Sequence, residues 1–199
     1  MPRFLHITDL HVSVADAPED GSTALDRFVT LVAGLSPQPD FVIASGDLTD
    51  RGDVDSYRLL AERLAPLDMP ILYALGNHDA RGAFREVFPD QPETAEGALC
   101  YAQVIAGVQV IVLDTSVPGQ TSGGVSADQL ALLTNTLDSQ QSLPTVLVMH
   151  HPPLGPGDSA KPWANLNPGD SAALADAVEP YRIDLILAGH VHMTRLRLW

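Results

Sequence analysis

The segment FVIASGD at residues 41–47 joins an unbroken apolar run to a glycine and a carboxylate. An apolar run of this length with a turn signal after it predicts a buried strand. Gly46 favours a sharp exit from that strand, where the backbone can crowd a site. Asp47 is thereby predicted to lie at the carboxyl end of a buried strand.

Similar apolar runs recur along the chain and alternate with amphipathic helical patterns. Helical spacing is found at residues 24–35 and 57–64, and Ser126 is a suitable N-cap for a further helix. A last helix is expected to be capped by Asp170 or Ser171. The alternation indicates an α/β layered fold, with mixed β-sheets flanked by helices. The predicted strands are residues 4–8, 41–45, 71–75, 99–105, 108–113, 145–149 and 183–188, of which 99–105 and 108–113 form a hairpin around Ala106-Gly107.

Composition narrows the class of protein. A chain of 199 residues that is 45% hydrophobic is expected to fold as a single domain over residues 1–199. The single cysteine, Cys100, excludes a disulfide within the chain and a thiolate metal cluster. A net charge of −14 argues against a nucleic-acid polymer as partner. The sequence has no leader pattern and no apolar run of about 20 residues, so we expect a cytoplasmic protein away from membranes. The sequence is compatible with a homo-oligomer.

Polar side chains that can bind metal follow five of the predicted strands. In open α/β sheets, ligands bind beyond the carboxyl ends of the strands, so loops far apart in sequence can converge on one site. The individual motifs are weak to moderate signals, whereas their ordered combination is strong. The residues concerned are Asp9, His11, Asp47, Asn77, His150, His190 and His192.

This ligand set predicts the kind of metal site. Carboxylate, amide and imidazole ligands without thiolate suit Mn, Fe, Zn or Co. Seven ligands are too many for one ion, and two ions roughly 3.5–4 Å apart can share them if one carboxylate bridges. Asp47 is the natural bridge.

The motifs and their order resemble those of the calcineurin-like metallophosphoesterase superfamily. Within it, the chain is most similar to bacterial class III cyclic nucleotide phosphodiesterases and related glycerophosphodiesterases. The likeness covers nearly the whole chain, but relatives usually continue after the point where this chain stops. We therefore expect either a truncated form or a protein that lacks the family's usual C-terminal segment. The motifs are GDLTDRG at 46–52, GNHD at 76–79, DTSVPG at 114–119, HHPP at 150–153 and GHVH at 189–192.

The resemblance implies a role for each ligand. It assigns Asp9, His11, Asp47 and His192 to a first ion, and Asp47, Asn77, His150 and His190 to a second.

The resemblance also implies that His78 contacts the phosphoryl oxygen or protonates the leaving alkoxide. Asp79 is expected either to orient His78 or to be an ordinary helix N-cap. Adjacent strand-end residues point in opposite directions, so only one of His150 and His151 is expected to bind metal directly. His151 is expected to contact the metal ligands or to line the substrate pocket. Arg81 is likewise expected to contact the metal ligands or the substrate, and a surface ion pair is the alternative for it.

The expected activity is that of a metal-dependent phosphoric ester hydrolase acting on a small phosphodiester, with cyclic AMP as the preferred substrate. A glycerophosphodiesterase or a broad phosphomonoesterase would use the same ligands. The alternative from a different class is a non-catalytic metal-binding interaction module. Such a module is expected to have lost a ligand or His78, and this sequence has lost neither.

Overall fold

The computed structural model describes residues 2–15, 21–92, 97–155 and 165–196. Its strands are β1 (Phe4–Ile7), β2 (Phe41–Ser45), β3 (Ile71–Ala74), β4 (Tyr101–Ile105), β5 (Val108–Val112), β6 (Thr145–Val148) and β7 (Leu185–Leu187). Its helices are α1 (Ser22–Ala33), α2 (Val54–Leu64), α3 (Arg81–Val87), α4 (Ala127–Ser139) and α5 (Pro168–Val178).

The strands form two sheets, and most neighbouring strands within each sheet are parallel. The first sheet has the order β1-β2-β3 and is parallel throughout. The second has the order β4-β5-β6-β7, in which only the β4–β5 hairpin is antiparallel. Ser45 pairs with Ala74 at the last position of β2 and β3. In the parallel part of each sheet, the carboxyl ends of the strands therefore meet at one edge.

The two faces of β5 show how the layers are stacked. Val110 and Val112 belong to a core cluster that includes residues of β2 and β3. Ile111 belongs to a second cluster with Leu133 of α4 and Leu174 of α5. Successive strand residues point to opposite faces, so β5 has the first sheet on one side and helices on the other. Because α1 and α2 also pack into the first cluster, the predicted layered α/β fold with mixed sheets and flanking helices is confirmed.

Local turn and cap chemistry agrees with the sequence in part. Ala106 and Gly107 both have positive φ, as the tight turn of the predicted hairpin requires. The Ser126 side chain accepts a hydrogen bond from the backbone N–H of Gln129 and caps α4 as predicted. The predicted cap of α5 at Asp170 or Ser171 is wrong. Asn167 caps that helix, because its side chain accepts the N–H of Asp170 and a proline suited to the first helical turn follows it.

Residues 156–164 of the loop after β6 lie outside the described residues. The single domain and the absence of the usual C-terminal segment stay predictions. Within the described residues, no helix is both long and apolar enough to span a bilayer.

The second core cluster gives a test of the packing. Replacing fully buried Leu133 by alanine should lower the free energy of unfolding by about 2–5 kcal/mol, because it removes contacts and leaves a cavity. Leu31→Ala is the matched control, since Leu31 is 65% exposed, and it should change stability by at most about 0.5 kcal/mol. Urea unfolding followed by circular dichroism measures both. Equal effects of the two substitutions would contradict the described core.

Candidate metal centre

The loops that carry the predicted ligands have an unusual backbone. Positive φ at a residue other than glycine costs free energy and persists only where the surrounding structure enforces it. Such residues concentrate at functional sites. Five of the seven predicted ligands have φ between 45° and 71°, namely Asp9, His11, Asp47, His190 and His192.

Hydrogen bonds between loops hold this backbone in place. The N–H of Asp9 donates to the carbonyl of Gly46 at 3.0 Å, and the N–H of His11 donates to the carbonyl of Asp47 at 2.9 Å. The carboxylate of Asp9 accepts the N–H of His190 at 2.9 Å. The loops after β1, β2 and β7 are therefore joined to one another directly.

The first group of ligand atoms comes from Asp9, His11, Asp47 and His192, which lie within 4.8 Å of one another. The Nε2 atoms of His11 and His192 are 3.2 Å apart. Nε2 of His192 is 3.4 Å from Oδ1 of Asp9, and Nε2 of His11 is 3.8 Å from Oδ2 of Asp47. Two carboxylates and two imidazoles thus surround one point.

The second group contains His150, His151 and His190, also within 4.8 Å. Oδ2 of Asp47 lies 3.2 Å from Nε2 of His150. Burial alone would raise the pKa of Asp47, but the neighbouring His150 ring and the N–H of His78 hold that pKa well below its ordinary value. The Asp47 carboxylate is therefore ionised. It belongs to the first group and also approaches His150 of the second.

Unsatisfied buried atoms mark the places where cations fit. Oδ1 of Asn77 and Nε2 of His150 are buried without a hydrogen-bond partner, which costs free energy unless something else binds them. Nδ1 of His150 lies 2.9 Å from the carbonyl oxygen of Ser45. A carbonyl can only accept, so Nδ1 carries a proton, and in the neutral ring the lone pair is then on Nε2, the arrangement found in metal-binding histidines. These residues fit a divalent cation.

Two glycines allow this close approach. A Cβ atom on Gly76 would lie 2.2 Å from Oδ1 of Asp47. A Cβ atom on Gly46, which has φ +98°, would lie 2.6 Å from Nδ1 of His150. Real Cβ atoms do not make contacts this short, so the loops can converge only with glycine at these positions.

His151 differs from its prediction in direction. The rings of His150 and His151 were expected to point opposite ways, yet their centroids are 4.9 Å apart and both belong to the second group. The reason is that β6 ends at Val148, so the strand alternation no longer applies two residues later. Nδ1 of His151 lies 2.8 Å from Oγ1 of Thr115. Burial beside His150 and His190 lowers the pKa of His151 to about 3, so its ring is neutral near pH 7.

His78 lies at the mouth of the site. Its side chain is 39% exposed, and its ring stands edge-on to that of His11 with centroids 4.7 Å apart. Its backbone N–H donates to Oδ1 of Asp47 at 2.9 Å, and Nδ1 donates to the carbonyl oxygen of Asp50 at 2.8 Å. The second ring nitrogen remains available for a ligand, as a group that exchanges a proton with substrate requires.

Asp79 does not have either of the expected contacts. The α3 N-cap is Ala80, so the N-cap interpretation of Asp79 is wrong. The ring of His78 bonds to Asp50, and the Asp79 carboxylate instead accepts hydrogen bonds from backbone N–H groups and a hydroxyl. Desolvation raises the pKa of Asp79 to about 6, and these hydrogen bonds oppose that rise. The donors are the N–H groups of Gly76, Leu48 and Thr49 and the hydroxyl of Tyr57.

Arg81 connects the two sheets rather than standing free. Its Nε donates to Oδ2 of buried Asp114 at 2.7 Å, and its Nη2 donates to the carbonyl of Ser116 at 2.9 Å. Asp114 follows β5 of the second sheet, whereas Arg81 begins α3 directly after the ligand loop of the first sheet. The structure thus shows an ion pair for Arg81, the alternative given for it above, although this pair is partly buried; its role next to the ligands or the substrate stays a prediction.

Three residues near the ligands were given no role from the sequence, although two of them lie within the motifs quoted above. Asp50 approaches both His11 and His78, and Thr115 bonds to His151. The carbonyl oxygen of Ser45 accepts a hydrogen bond from His150, and the Ser45 hydroxyl shares one with His6. Each follows a strand or ends one. That position was the signal available, but it does not reveal which atoms meet.

Comparison with protein families matches residues 2–194 to the Calcineurin-like phosphoesterase family. The chain belongs to this family. Among solved structures, a purple acid phosphatase from yellow lupin seeds superposes with a TM-score of 0.65 at 16% identity, over 96% of this chain and 38% of that one. At this identity the likeness concerns the fold, and it agrees with the layered sheets described above.

Curated calcineurin-like phosphoesterases with related sequences are phosphodiesterases by name. A cAMP/cGMP dual specificity phosphodiesterase of Mycobacterium tuberculosis is 34% identical over 95% of this chain. A probable glycerophosphodiester phosphodiesterase of Arcobacter nitrofigilis is 31% identical over 98% of this chain and 73% of its own length. The chain spans 61% of the length of the Mycobacterium relative.

The contacts of Asp79 predict a mainly structural effect of its substitution. Asp79→Asn should destabilise the protein by about 1–3 kcal/mol for each buried donor that loses its acceptor. Asp55→Asn is the control, because Asp55 is an exposed partner of Arg58. Urea unfolding of both variants measures the difference. Unchanged stability of Asp79→Asn together with lost turnover would instead favour a catalytic role.

Proposed function

We propose that this chain hydrolyses phosphodiesters with two bound metal ions, and that 3′,5′-cyclic nucleotides such as cyclic AMP are its preferred substrates. The observation that carries the proposal is the position of the Asp47 carboxylate between two groups of ligand atoms. Such a carboxylate can bridge two ions, and paired ions are a common basis of phosphoester hydrolysis.

The ligands divide between the ions as the resemblance implies. We assign Asp9, His11, Asp47 and His192 to one ion and Asp47, Asn77, His150 and His190 to the other. Mn, Fe, Zn and Co all suit these oxygen and nitrogen donors. When bound, the two cations supply positive charge for the phosphoryl oxygens and lower the pKa of water.

The residues of the chain prepare the site for this chemistry. His150 is fixed by Ser45 with its Nε2 facing Asp47, and Asp9 is fixed by the loop that holds His190. His78 is held through Nδ1 and exposes the remainder of its ring. We assign to His78 either a contact with the phosphoryl oxygen or, from its doubly protonated form, the donation of the second ring proton to the leaving alkoxide, which leaves a neutral ring. His151 offers a neutral imidazole beside the second group of ligand atoms.

Charge and the named relatives favour a small diester over a polymer. The chain carries a net charge of −14, so attraction of an anion depends on the metal centre itself. The related proteins are named for cyclic nucleotides and for glycerophosphodiesters, and the second substrate class is therefore the alternative within the same mechanism. We assign the protein to the cytoplasm, and we assign it no partner in nucleic acid or membrane.

A binding module that retains metal without catalysis is the alternative from another class. His78 argues against it, because its ring is positioned at the mouth of the site and is not required by either group of predicted ligands. A module of this kind would bind metal and turn over no phosphoester.

The first experiment compares substrates with the metal-stripped protein after addition of Mn²⁺. We expect metal-dependent hydrolysis of cyclic AMP faster than that of an aryl phosphodiester, a glycerophosphodiester or an aryl phosphomonoester. Preference for the glycerophosphodiester would support the alternative substrate class. Bound metal with no turnover of any substrate would overturn the proposed enzyme.

A pair of substitutions separates metal binding from proton transfer. Asp47→Asn should abolish turnover and reduce bound metal, because it weakens the shared carboxylate. His78→Ala should lower kcat by roughly 10²–10⁴ if His78 transfers a proton, with metal content nearly unchanged. Steady-state kinetics and elemental analysis measure the two effects. Loss of metal from His78→Ala would refute the division of roles.

A further inference from the structure

We infer that Asp50 is a positioning residue for the metal centre, which orients His11 through its carboxylate and His78 through its main-chain carbonyl. This inference rests on the proposed metal site. Asp50 lies three residues beyond the bridging candidate Asp47 and at the edge of the first ligand group. Its ligand-type atoms lie within 4.8 Å of those of His11 and His78.

The ring of His11 has one nitrogen, Nδ1, on the side that faces Asp50. Nε2 of His11 faces Asp47 and His192, so binding of an ion through Nε2 places the ring proton on Nδ1. Nδ1 is buried without a hydrogen-bond partner, and its distance to Oδ1 of Asp50 is 3.7 Å. This is slightly beyond hydrogen-bond distance but within ion-pair distance, so the Asp50 carboxylate is the acceptor that lies nearest to Nδ1 among the contacts of this ring.

A carboxylate at this position has a defined effect on a metal ligand. By accepting the Nδ1 proton it selects the correct tautomer, fixes the ring and makes Nε2 a better donor to the ion. The Asp50 side chain is 19% exposed, so this interaction is shielded from much of the solvent. Arg51 also approaches the carboxylate, but through the other oxygen and with a side chain that is 60% exposed.

The main chain of Asp50 contacts both His78 and the loop that carries His11. Its carbonyl oxygen accepts Nδ1–H of His78 at 2.8 Å, and its own N–H donates to the carbonyl of Val12. Val12 is fully buried and immediately follows His11. The same residue therefore links the loop of a metal ligand to the ring of the residue proposed to act on the substrate.

The test is a graded series of substitutions read out by metal affinity. In Asp50→Ala, which removes both charge and acceptor, one of two Mn²⁺ sites should weaken by about 10- to 100-fold. Asp50→Asn keeps an acceptor and should have an intermediate effect. The other Mn²⁺ site should bind as in the wild type. Calorimetric titration of Mn²⁺ into metal-stripped protein resolves the two affinities, and thermal unfolding verifies that each variant folds.

Controls separate positioning from a general loss of structure. Asp55→Asn, which changes an exposed carboxylate on α2, should leave both Mn²⁺ affinities unchanged. In a His11→Ala background, Asp50→Asn should have no further effect on metal affinity, because the two residues act as a unit. In a His78→Ala background, the effect of Asp50→Asn should persist.

The outcomes distinguish this inference from the proposed function. Two Mn²⁺ sites in the wild type with unchanged affinities in both Asp50 variants would overturn the inference alone. Equal weakening of both sites together with a large fall in Tm would also overturn it, since that indicates loss of structure. A wild-type protein that binds no Mn²⁺ would overturn the proposed function as well.

Discussion

The hydrogen bond from Nδ1 of His150 to the carbonyl of Ser45 joins the two sheets at the point where the site forms. His150 follows a strand of the second sheet and Ser45 ends a strand of the first. The bond places Nε2 of His150 beside the Asp47 carboxylate. Both the arrangement of the sheets and the presence of glycine at residues 46 and 76 are needed for this contact.

Around this contact, the protein separates binding groups from supporting groups. Carboxylates and imidazoles face one another from the loops, and main-chain groups hold some of them, as the carbonyl of Ser45 holds His150 and the N–H of His190 holds Asp9. The Arg81–Asp114 pair and the contacts of Asp79 extend this support to the start of α3. Positioning of this kind is what a rigid catalytic site requires, because small displacements of reacting groups reduce catalysis strongly.

Much of this arrangement could be predicted from the sequence. Apolar runs locate the strands, and the polar residues after them identify most groups of the centre, since parallel strands present their carboxyl ends at a common edge. The direction of His151 could not be predicted, because alternation stops where the strand stops. The approach of Asp50 to His11 and His78 could not be predicted, because it depends on how two loops meet and on a main-chain contact. The Asn167 cap was missed because two other polar residues nearby are equally good caps by type.

The left-handed backbone at five ligand positions has a consequence for how such a protein can diversify. A residue held in this conformation cannot be exchanged freely even where its side chain is not the only possible ligand, because most replacements raise the backbone energy. Adaptive change is thereby directed toward segments without this restriction. Residues 117–122, in the segment between β5 and α4, have a single positive φ, at Gly119, and are one such segment. Substitutions there can change the surface of the protein while the framework of the centre stays intact.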